Sequence, residues 1–121
     1  MAIKLSSRQQ AQLAYLETLP PKFHRMHAVI EEMSALRADE VVVRGFARQL
    51  DELKANAAAL SIPGLADTAG LMATMARRGG GLQMKVRGLR ELLGSLKINF
   101  EGAMRAATTP DQEESGKDPA P

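Results

Sequence analysis

Cysteine and tryptophan are absent from the 121-residue chain, and its aromatic residues amount to three Phe and one Tyr. Without cysteine there is no disulfide, no thiolate metal site, no iron–sulfur cluster and no cysteine nucleophile. With so few rings the core has to be aliphatic, with seven Met as adaptable filler. No run of 18 apolar residues occurs, so no segment has the character of a membrane span. The opening residues, Met1 to Ser7, lack the apolar stretch of a signal peptide, and the expected location is cytoplasmic. Phosphate loops, dinucleotide-binding glycine motifs, nucleophile elbows and zinc signatures are likewise missing. The expectation is therefore a protein that is not an enzyme and uses no cofactor and no metal.

What the chain does have is enough apolar residue, 45%, for one core, and a 25% share of charged residues typical of a globular domain. Its charge is unevenly placed. The fourteen residues from Thr108 to Pro121 hold four acids against one lysine, a net of −3. The chain carries +2 in all, which leaves +5 on residues 1–107. Residues 108–121 also include three Pro and no large apolar side chain, a composition that reads as a disordered acidic tail. A diffuse +5 is compatible with acidic protein partners, and without interleaved aromatic residues no nucleic-acid partner is expected. No membrane partner is expected.

Residues 1–107 read as helix throughout. Ser7 and Gln10 have capping-box spacing, and Leu13, Leu16 and Leu19 follow as a short N-terminal arm. Pro20-Pro21 interrupts the arm and opens a helix over 20–37 with the stripe Phe23, Met26, Ile30 and Met33. Asp39 is read as the N-cap of a helix over 39–61, whose stripe is Val43, Phe46, Leu50, Leu53, Ala57 and Leu60. Pro63 and Gly64 separate it from a helix over 64–78 with Leu65, Ala69, Met72 and Ala76 inward. Gly79-Gly80-Gly81 is expected to close that helix in the left-handed conformation. The last helix, 82–106, has the longest stripe, from Leu82 through Val86, Leu89, Leu93, Leu96 and Phe100 to Ala103. Short links between long amphipathic helices imply an all-α fold, an antiparallel up-down four-helix bundle preceded by the arm.

Chemistry-bearing residues are few. His24 and His27, the two histidines, share a helix face but supply only two of the three or four ligands a metal needs. The triple glycine suits a helix end better than a phosphate cradle. On the helix over 39–61, Asp51 lies one residue past the core position Leu50 and is expected in solvent. Ala47, Lys54, Ala55 and Ala58 are its neighbours at helical spacing. Small side chains around a charged one make a shallow, approachable surface.

This stretch resembles the signature helix of histidine-containing phosphotransfer domains, the four-helix bundles of two-component phosphorelays. Leu53-Lys54 matches the family's Leu-Lys, Ala57 its Ala, Leu60 its Leu, and Leu65 the Leu that opens the next helix. Leu16, Leu19 and Pro20 are similar to the entry into the family's first bundle helix, and the likeness runs from residue 13 to 106. Three positions depart from the pattern. Asp51 stands where the family has its phosphoacceptor histidine, Ala55 where a glycine makes room for the incoming receiver domain, and Ser61 where a glycine closes the motif. A lone helical carboxylate lacks the multi-acid cation site that aspartyl phosphorylation requires. The resemblance thus implies the fold and a docking face of Ala47, Asp51, Lys54, Ala55 and Ala58 for a receiver domain or histidine kinase, without phosphate transfer. The competing readings are an active phosphocarrier using His24 or His27, and an interaction bundle unrelated to phosphorelays.

Overall fold

The structure is a computed structural model that describes residues 4–110. Five helices follow one another: α1 (Ser7–Leu16), α2 (Leu19–Ser34), α3 (Glu40–Ala59), α4 (Pro63–Arg77) and α5 (Leu82–Thr108). No strand occurs among the described residues. The expected helices are all present, with ends displaced by a few residues. The expected 20–37 helix stops at Ser34, and α5 continues to Thr108, beyond the boundary expected at 107. From residue 111 onward the acidic tail lies outside the described residues.

One core joins the five. The stripes on α2 and α4 are buried in full, and Phe46, Leu50, Leu53 and Ala57 of α3 lie in the same core as Val86, Leu89, Leu93 and Leu96 of α5. Leu60 and Phe100 pack at the edge of this cluster. Phe23 of α2 stands edge-on to Phe100 of α5 at 5.4 Å, a favoured aromatic geometry. Farther along α2, Glu31 pairs with Arg90, so α2 and α5 run in opposite directions. The same holds for α4 and α5. Thr68 donates to Asn99 near one end, and Met75 lies across Gly88 near the other. That close crossing is the reason for glycine at 88, since a Cβ there would strike the Met75 sulfur.

The helix caps revise two expectations. The capping box of α1 is formed by Ser6 and Gln9, one residue earlier than Ser7 and Gln10. Duplicated Ser-Ser and Gln-Gln pairs leave the register open locally. Burial of Gln9 decides it, because its amide reaches the Ala106 and Thr109 carbonyls at the end of α5. The left-handed helix ends are not where the glycines are. Leu36 (φ 61) follows α2 and Ser61 (φ 60) follows α3. Each closes a Schellman motif, with Arg37 N–H bonded to the Glu32 carbonyl and Ile62 N–H to the Ala57 carbonyl. α4, by contrast, ends on extended Arg78, and of the three glycines Gly80 alone has positive φ, 108°. Lys85 compensates at that open end by donating to the Ala76 carbonyl.

Candidate docking face on the third helix

Asp39 starts α3 by accepting the Val42 N–H, and Glu40 adds negative charge at the positive end of the helix dipole. From there the apolar stripe fixes the rotation of the helix. Leu50 and Leu53 point inward and are buried, which places Asp51 on the flank beside α4.

The five residues expected on this face separate into two groups. Lys54, Ala55 and Ala58 are exposed and Asp51 is half-exposed, so these four share an accessible surface. Ala47 is not part of it. Its side chain is 1% exposed and packs into the core. The expectation of a solvent-facing Ala47 is therefore corrected. The reason lies in α4, where Ala66, Ala69, Ala73 and Ala76 are all buried. A helix faced with methyl groups approaches closely and covers the flank one turn before Asp51.

α4 also changes the electrostatics. Arg77, at its last residue, makes a two-pronged ion pair with Asp51, one nitrogen to each carboxylate oxygen. Asp51 and Arg77 keep 47% and 53% side-chain exposure, so water still reaches both. Hydrogen bonding to the guanidinium holds the Asp51 carboxyl below the usual carboxylate range, and the Arg77 and Lys54 charges add to this. The expected free negative charge is thus a neutralised pair. Sequence reasoning missed Arg77 as its partner because the two are 26 positions apart. The only local signal was the position of Arg77 in the last turn of its helix.

Lys54 lies along α4 as well. Its aliphatic stem crosses Gly70 so closely that a Cβ at residue 70 would come within 3.3 Å of the Lys54 Cδ. Gly70 thus gives the lysine a groove to lie in while its ammonium stays in water. Beyond it, Ala55 and Ala58 leave the surface low.

His24 and His27 are exposed on α2, outside this face. Among the described residues no group of three or more potential ligands of the His, Cys, Asp and Glu types could hold a metal ion. No described helix is long and apolar enough to cross a membrane. No family model, curated protein or solved structure matches the chain.

Proposed function

We propose that this chain is a degenerate phosphotransfer-type module, in which α2–α5 form the antiparallel up-down four-helix bundle and α1 its arm. It docks a receiver domain or a histidine kinase through the exposed part of the α3 face and regulates that partner without accepting phosphate. The observation that carries the reading is Ser61. It stands where the resembled family closes its motif with glycine, and its φ of 60° is the conformation that glycine favours. Counting back from this anchor, the phosphoacceptor position falls on Asp51, at mid-helix and open to solvent.

The chemistry of Asp51 supports a docking role. Its carboxylate is already engaged by Arg77, and among the described residues no group of three or more potential metal ligands stands beside it to assist phosphoryl attack. The face then offers a neutral pair at its centre, the Lys54 ammonium at its edge, and the low Ala55–Ala58 surface on which a partner rests. An acidic pocket of the kind that receivers carry suits Lys54.

The test is binding of the full chain to a panel of receiver domains and histidine kinases, alongside phosphodonor incubation. At least one partner should bind wild type and lose binding to Ala55→Arg. The protein should take up no label, and Ala55→Arg should melt within a few degrees of wild type because the site is exposed. Equal binding by Ala55→Arg would place the interface elsewhere. Acid-labile label lost in His24→Ala or His27→Ala would replace this reading with the phosphocarrier.

A further inference from the structure

Leu36 breaks two local rules at once. It holds the left-handed conformation just past α2, where glycine is favoured, and its side chain is 78% exposed. A leucine there strains the backbone and gains no burial, so nothing inside the molecule accounts for it. Two more large apolar side chains stand in solvent nearby: Val41 in the first turn of α3, 71% exposed, and Met84 in the first turn of α5, 77% exposed.

Three clefts show that these residues belong to one end of the molecule. Leu36 lines a cleft of about 590 Å³ with Leu82 and Arg87. Met84 lines a second with Arg78 and Gly81. Glu40, next to Val41, lines a third with Arg78 and Gly79. The α2–α3 and α4–α5 connections thus form a single surface.

The charges at this end are biased. Three of its acids are held in ion pairs, Glu40 with Arg44, Glu31 with Arg90 and Asp51 with Arg77, while Asp39 caps α3 and keeps its charge. Arg37, Arg78, Lys85 and Arg87 have no ion-pair partner among the described residues, against three such acids, Glu32, Asp39 and Glu91, which leaves a small positive excess.

We propose that this end of the bundle docks onto the surface of an anionic lipid bilayer. Leu36, Val41 and Met84 enter the boundary between headgroups and acyl chains, and Arg37, Arg78 and Arg87 meet the lipid phosphates. Apolar tips standing out beside free guanidinium groups are the pairing that interfacial attachment uses. A soft surface closes around projecting side chains, whereas a protein would need a pocket for each. The attachment is superficial, it is independent of the docking face on α3, and it departs from the sequence-based expectation of no membrane partner.

The experiment is sedimentation of the full chain with vesicles of phosphatidylcholine alone and of phosphatidylcholine containing phosphatidylserine as the minor lipid. Wild type should partition onto the anionic vesicles only, and added salt should release it. Leu36→Gly should raise the melting temperature by relieving the backbone and yet weaken partition by about tenfold, as loss of one buried leucine requires. Arg78→Gln with Arg87→Gln should weaken it further and flatten its salt dependence. Equal retention on both kinds of vesicle would overturn the proposal. So would unchanged partition of Leu36→Gly, or capture of an acidic protein by this end with no vesicle binding at all.

Discussion

Ser61 and Asp51 show how single residues carry both strain and function here. At φ 60 a serine pays the steric cost of the left-handed region for the sake of the Schellman bonds that close α3. Ser61→Gly should therefore stabilise the fold by about 0.5–1 kcal/mol, after allowing for the greater freedom of glycine in the unfolded chain. Thermal melting checks this, and no gain would mean that the turn relaxes differently. Asp51 titrates below its ordinary range in the folded state. The stability it contributes is fully present above the ordinary aspartate range and is lost as pH falls through its lowered pKa. The effect is small, because a half-exposed pair is screened. Its cleaner readout is the carboxyl titration followed by NMR, whose midpoint should rise in Arg77→Gln. A midpoint unmoved by that substitution would deny the ion pair. That Asp51 lies on an open flank was legible from its place after Leu50. That the flank bears a guanidinium was not, since helical spacing relates residues within one helix and is silent about its neighbour.

Among the elements, the apolar stripes were the readable part. Each long helix buries a face wide enough for three- and four-residue spacing to mark it, and the stripes on α2 and α4 lie wholly in the core. Ala47 escaped this reading because alanine carries little hydrophobic weight. Its burial comes from the closeness of α4 rather than from its own stripe. Glycines in α5 divide along the same line. Gly88 sits under Met75, whereas Cβ atoms at Gly94 and Gly102 would meet nothing within 4 Å. Gly94→Ala and Gly102→Ala should each stabilise the protein by roughly 0.5–1 kcal/mol through helix propensity alone. Gly88→Ala should fall below both, because the new methyl displaces the Met75 side chain. Denaturant melts of the three variants decide it, and an equal gain at all three would mean that the α4–α5 crossing is looser than described.

At the scale of the whole molecule, one buried glutamine ties the beginning of the chain to its end. Gln9 is 3% exposed and is the one polar side chain in the buried set of described residues. Its amide nitrogen donates to the Ala106 carbonyl at 3.0 Å and the Thr109 carbonyl at 2.6 Å, and its oxygen accepts the Ser6 N–H. The last carbonyls of α5 lack helical partners, so Gln9 serves as cap for two helices, its own and one about a hundred residues away. No sequence pattern announces such a contact; capping-box spacing indicates only the local half of it. Gln9→Ala leaves two carbonyls and one N–H without their partner, and should cost about 1–3 kcal/mol. Truncation should separate this closure from the tail. Removing residues 111–121 keeps every bond just named and should leave the melting temperature unchanged within a few degrees. Ending the chain at Ala106 removes the fully buried Ala107 and the Thr109 carbonyl, and should lower it by as much as Gln9→Ala does. If both truncations melted alike, α1 would be held by its apolar contacts alone, and the polar closure would be incidental to the fold.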